Sequence, residues 1–215
     1  MIKTHRRKDL KREFINATRG ESAKKTLGKL YKGCEIYGLT KGQFSLSDLI
    51  NAILAETGAA DLQISTWTAA KADIKSAYNL LKNGNINSVR FLVDRSFKTR
   101  QPEYCKFLLE MFGSDSVRMT RSHCKFVLIR NEEWNIIIRT SMNLNNNPRI
   151  ENFEVSDDMK LCDFMESLID EVWTKETKFT EEDFHSLGLE NSSVKPKETD
   201  DFDVDKEMEE ALKLI

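Results

Sequence analysis

Apolar positions recur along the chain with two different periods, and the switch between them outlines a fold. Residues 71–82 repeat every three to four positions. Ile74, Ala77, Tyr78 and Leu81 share one helical face, and Asn83-Gly84-Asn85 closes the helix. Ser47 is the expected cap of a helix over 48–56 that ends at Thr57-Gly58. Pro102 opens another helix through 112, with Phe107, Leu108 and Met111 inward and Gly113 as its stop. The longest amphipathic stretch, 157–173, carries Leu161, Phe164, Met165, Leu168, Ile169 and Val172 as an apolar stripe. Between these segments lie short apolar runs of strand type at 34–39, 60–67, 89–93, 117–119, 126–129, 134–138 and 150–155. Strands alternating with helices, followed by consecutive strands, predict an α/β fold with a mixed sheet flanked by helices on both faces.

The two ends of the chain differ in character. Residues 1–32 hold eleven Lys or Arg against three acids, a net of +8. They read as two short helices, 4–16 and 21–31, separated by Gly20. Basic helices suit phosphate backbones because neutralised phosphates release condensed counterions. Arg6, Arg7, Lys8, Lys11 and Arg12 are therefore nucleic-acid-binding candidates. Residues 176–215 hold thirteen acids against five bases, a net of −8, so the whole-chain charge of −2 hides a strong asymmetry. Thr180-Glu181-Glu182-Asp183 opens a capped helix, residues 190–203 read as a linker, and 204–215 as an amphipathic helix. That last helix docks either on its own domain or on a protein partner. The expected division is a basic helical extension over 1–32, a domain over 33–175, and an acidic, partly disordered tail over 176–215.

No run approaches the roughly 20 apolar residues of a membrane helix. The basic N-terminus lacks the apolar core of a signal peptide, and a cytoplasmic protein is expected. Cys34, Cys105, Cys124 and Cys162 show no C-x-x-C spacing and read as reduced thiols. Three histidines without clustered cysteines give no metal site, and no cofactor is expected.

The chemistry concentrates in residues 121–154. His123 and Lys125 stand two apart at the head of an apolar run, so in extended backbone both point one way and Cys124 the other. A partner strand ends at Thr140-Ser141-Met142-Asn143, and a third strand brings in Glu151. His, Lys, Ser, Asn and Glu at neighbouring strand ends suit attack on a phosphodiester. Arg95, Lys98 and Arg100 follow the strand at 89–93, at the strand end where α/β sheets bind ligands. Trp67, at another such end, is either a base-stacking platform or a core residue.

His123-Cys124-Lys125, Ser141-Met142-Asn143 and Glu151-Asn152 resemble the signature of the phospholipase D superfamily, and in particular its small single-motif bacterial and phage-type endonucleases. The segments 62–68 and 88–94 resemble that family's first two core strands. Two positions depart from the pattern. Thr140 replaces a glycine, and Arg130 stands where the family has an aspartate, with Asn131 beside it as a possible substitute. The resemblance implies a phospholipase D-like fold and a hydrolase acting on phosphodiesters without metal. His123 would be the nucleophile, Lys125 and Asn143 would stabilise phosphoryl charge, Glu151 would orient His123, and Ser141 would assist by hydrogen bonding. A second histidine must protonate the leaving oxygen, and neither His5 nor His185 has a comparable context. The expected arrangement is a homodimer sharing one composite site, acting as a nuclease on nucleic acid, DNA first. The alternatives are a catalytically degenerate nucleic-acid-binding module, which Arg130 would explain, and a phospholipase acting on lipid head groups.

Overall fold

The computed structural model describes residues 12–17, 21–145, 148–175 and 179–189. Its eight strands are β1 (Glu13–Asn16), β2 (Glu35–Thr40), β3 (Ala60–Thr66), β4 (Ile86–Asp94), β5 (Val117–Thr120), β6 (Phe126–Arg130), β7 (Asn135–Thr140) and β8 (Glu151–Asp157). They form one mixed sheet in the order β1-β2-β8-β7-β6-β3-β4-β5. The strands β3, β4 and β5 run parallel, while β6 lies antiparallel to both β3 and β7. The helices are α1 (Ala23–Leu27), α2 (Leu46–Thr57), α3 (Lys71–Lys82), α4 (Phe97–Arg100), α5 (Pro102–Phe112), α6 (Met159–Lys175) and α7 (Glu181–Ser186).

Both faces of the central strands are covered, which is why β6 reads as an unbroken apolar run. Val127 and Ile129 enter the larger core with residues of α2, α3 and α5, while Phe126 and Leu128 meet Cys162 and Ile169 of α6. On β2, Gly38 stands opposite Phe153 of β8. A Cβ there would lie 2.1 Å from the Phe153 ring, so the missing side chain makes room for the aromatic.

Three local expectations change. Glu13–Asn16 is an edge strand parallel to β2, because the exposed backbone of β2 offers more hydrogen bonds than a short isolated helix can make. The cap of α2 is Ser45, which forms a reciprocal capping box with Asp48. Ser47 turns inward instead, donating to Asp73 of α3 at 2.6 Å. On α6, Cys162 and Ile169 are buried, but Phe164 and Leu168 of the expected stripe are exposed, since α6 touches the sheet along a narrower seam.

This topology determines which groups can meet. The carboxyl ends of β3, β4, β5 and β7 and the amino ends of β6 and β8 all lie at one end of the sheet. His123, Lys125, Ser141, Asn143 and Glu151 occur at those ends. Arg12, just before β1, lies at the other end and pairs with the buried carboxylate of Glu35.

Candidate functional site

His123-Cys124-Lys125 leads directly into β6, and its backbone is held from both sides. Ser65 Oγ of β3 donates to the Cys124 carbonyl at 2.9 Å, and the Thr140 amide of β7 donates to the Lys125 carbonyl at 3.2 Å. The two side chains do lie on one side: Lys125 Nζ is 3.5 Å from His123 Nδ1 and 3.3 Å from the His123 carbonyl. Burial pulls the Lys125 ammonium below the usual lysine range, against the opposing field of Glu151.

At the end of β7, Thr140 Oγ1 donates to the Asn152 carbonyl at 2.6 Å and accepts from the Met142 amide at 2.9 Å. The Thr140 hydroxyl thus closes the turn that presents Ser141 and Asn143. Ser141 Oγ donates to Glu151 and accepts from the Asn152 amide at 3.0 Å. This corrects the expectation for Glu151: its carboxylate is bonded to Ser141, and no hydrogen bond joins it to His123 among the described residues. Asn143 is partly buried, and its Oδ1 has no hydrogen-bond partner among the described residues. Its neighbour Leu144 bonds back to Thr66, Thr68 and Ala70, tying this turn to the end of β3.

Trp67 stands beside the nucleophile candidate, with ring centroids of Trp67 and His123 5.5 Å apart at 60°. One face of Trp67 is already taken, since the Arg100 guanidinium lies 3.5 Å from the ring centroid. Of the two roles the sequence leaves open for Trp67, base stacking on this face would have to displace an arginine of the chain itself. Arg100 Nε also donates to Ser96 Oγ at 3.0 Å, and its Nη2 to the Trp67 carbonyl at 3.3 Å.

Asp94, at the end of β4, accepts from the Ser96 amide at 2.9 Å, from Ser96 Oγ, and from the Ser122 amide at 3.1 Å. Burial opposes its charge, but these bonds and the charge of Arg100 hold the Asp94 carboxyl below the usual range. The sequence reading did not single out Asp94, although Asp-x-Ser at a strand end signals an Asx turn. Arg121 and Arg149 were missed as well. Both are exposed, two residues before His123 and Glu151 respectively.

Other candidates are committed elsewhere. Lys98 forms an ion pair with Asp183 of α7, and Arg12 pairs with Glu35. Arg95 follows Asp94, its amide bonded to the Thr120 carbonyl. Arg6, Arg7, Lys8 and Lys11 lie outside the described residues, as does His5. Arg130 is not in the site at all. It ends β6 at the opposite end of the sheet, where it pairs with Asp163 at 2.8 Å and with Glu166, and bonds Asn135. Asn131 lies at the same far end, donating to the Thr57 and Ala59 carbonyls. Among the described residues no cluster of three or more His, Cys, Asp or Glu could hold a metal ion, and no helix is long and apolar enough to cross a membrane. All four cysteines are free, Cys124 alone being exposed.

No protein-family model matches the chain, and no curated protein matches it. Among solved structures, it is similar to Nuc, a phospholipase D family member from Salmonella typhimurium. The identity is 15% and the TM-score 0.49, over 67% of this chain and 97% of that one. It is also similar to NucT from Helicobacter pylori, at 12% identity and a TM-score of 0.42, over 67% of this chain and 99% of that one. A third similar structure is phosphatidylserine synthase from Haemophilus influenzae Rd KW20, at 15% identity and a TM-score of 0.42. There the match covers 67% of this chain but 38% of the synthase.

The placement of Arg130 reverses the outcome its sequence position suggests. Arg130→Asp would set a third carboxylate beside Asp163 and Glu166 and remove one of the ties between α6 and the sheet. A loss of about 1–3 kcal/mol of unfolding free energy is expected, measured by denaturant titration. The His123 end should be unaffected, as checked by an unchanged His123 NMR resonance below the unfolding transition.

Proposed function

We propose that the chain is a phosphodiesterase acting on nucleic acid through a phosphohistidine formed at His123. The observation that carries this reading is the His123–Lys125 pair at 3.5 Å, at the sheet end shared with Asn143 and the Ser141–Glu151 pair. Before substrate arrives, the ammonium of Lys125 can only donate, so in the tautomer with its lone pair at Nδ1 the ring is masked by Lys125. A phosphate oxygen binding to Lys125 draws that ammonium away and frees the ring. A ring nitrogen of His123 then bonds to phosphorus while the bond to the leaving oxygen breaks. Lys125 and Asn143 stabilise the charge that grows on the non-bridging oxygens. The leaving oxygen takes a proton from an acid. Water next attacks phosphorus, breaks the P–N bond and regenerates His123.

The acid in this scheme is the His123 of a second copy. Among the described residues, no hydrogen bond or ring contact joins His185 of α7 to His123, and Trp67 is the ring that packs there. A two-fold axis beside the site brings the same residue in twice. Nucleic acid is favoured over a lipid head group by the exposed Arg121 and Arg149 flanking the site, which suit a repeating phosphate backbone. The degenerate binding-module reading rested on Arg130, which the structure places at the far end of β6.

Purified protein should therefore cleave DNA or RNA in excess EDTA, and His123→Ala should reduce cleavage by at least ~10³-fold with binding retained. The rate should fall on the alkaline side at a pH below the ordinary lysine value. The sign follows from burial: the folded protein releases the Lys125 proton earlier than an exposed lysine would. Lys125→Arg should move that limb upward. Tight binding without cleavage would favour the binding module, and turnover of phospholipid vesicles but not nucleic acid would favour the phospholipase. Sedimentation at active concentrations should give twice the mass of one chain. An active monomer would remove the shared site.

A further inference from the structure

His123 is exposed and precedes β6 rather than lying within it, so strand packing alone does not fix its ring. The expected carboxylate support is absent among the described residues, where Glu151 bonds Ser141 and not His123. A nucleophile left to rotate loses the alignment on which in-line attack depends, and a displacement of about 1 Å costs on the order of 10²-fold in rate. Another part of the structure supplies the restraint.

Asp94, Ser96, Arg100, Trp67, His123 and Ser122 close a circuit. Asp94 holds Ser96 through its amide and hydroxyl, and Ser96 Oγ accepts from Arg100 Nε at 3.0 Å. The Arg100 guanidinium carbon lies over Trp67, 3.5 Å from the centroid, and Trp67 packs against His123. The return path is Asp94 to the amide of Ser122, the residue before His123, at 3.1 Å. One carboxylate therefore grips the nucleophile from two directions: by the backbone before it, and by an aromatic wall braced through arginine.

We propose that Trp67 and Arg100, braced by Asp94 through Ser96, are positioning residues that hold the His123 ring, and that Arg100 is not a phosphate ligand. The inference rests on the reading of His123 as the nucleophile. Arg100 suits this work because a guanidinium stacks as a plane and keeps its in-plane donors for Ser96 and the Trp67 carbonyl. A lysine carries the same charge but cannot stack as a plane, so Arg100→Lys separates positioning from phosphate attraction.

The test uses the full chain with Arg100→Lys, Arg100→Ala, Ser96→Ala, Trp67→Leu and Trp67→Phe. The readouts are the His123 imidazole NMR resonance, identified by its loss in His123→Ala, and steady-state cleavage in EDTA. Trp67→Leu should move the resonance by removing the ring current, and Arg100→Lys and Ser96→Ala should move it less, in the same direction. Trp67→Phe should restore part of the wild-type position. Turnover should fall ~10–100-fold in Arg100→Lys, as when a partner orienting a reactive group is lost, with KM and the salt slope of binding unchanged. The inference is overturned if Arg100→Lys keeps full turnover. It is also overturned if Arg100→Ala lowers the salt slope by ~0.9, one phosphate contact, while the resonance stays put. If wild type cleaves nothing, the nuclease reading falls alone. The resonance then still decides: movement supports positioning, and an unmoved signal in Trp67→Leu and Arg100→Lys overturns it.

Discussion

In the register of the sheet, Phe126 stands between Ser65 and Arg139, so β6 is clasped antiparallel on both sides. Everything proposed for the site depends on that pairing. A parallel strand in the same slot would send His123 and Lys125 to the end where Arg130 and Asn131 now stand. The antiparallel insertion instead places the head of β6 beside the tails of β3 and β7. Ser65, the residue before Thr66 and Trp67, can then hold the Cys124 carbonyl, and Thr140 the Lys125 carbonyl. The register in turn is secured by burial on both faces, because a one-residue slip would exchange the partners of every side chain in β6.

From that constraint the site divides into two supported halves. On one side the Thr140 hydroxyl, Ser141 and Glu151 lock the turn that carries Asn143. On the other, Asp94 governs Ser122 and, through Ser96 and Arg100, the ring of Trp67. Leu144, bonded to Thr66 and Thr68, stitches the halves together. The direct contact of Lys125 with His123 lies beside this seam.

Much of this was legible in the sequence, and the limits have physical causes. Alternation along 123–129 correctly put His123 and Lys125 on one side, because side-chain direction in extended backbone is a local property. The helix of 71–82 was legible for the same reason, and its bounds agree with the structure. Partnerships were not legible. Spacing cannot show that Ser141 reaches Glu151 before His123 does, or that Arg100 covers the Trp67 face a nucleobase would need. Residues 13–16 misled because strand pairing is a tertiary contact that overrides a short helical pattern. Arg130 misled because its distance along a strand was judged as membership of a motif. Five residues of extended chain carry it across the sheet to Asp163 and Glu166.

The central claim is a covalent bond between His123 and substrate phosphorus. Rapid acid-free quenching of the protein with 5′- or 3′-radiolabelled oligonucleotide, followed by peptide mass spectrometry, tests it directly. The account predicts an acid-labile, alkali-stable phosphoramidate on His123, absent from His123→Ala and lost on further incubation in water. Cleavage with no adduct, or an adduct on Ser141 or Cys124, would contradict it.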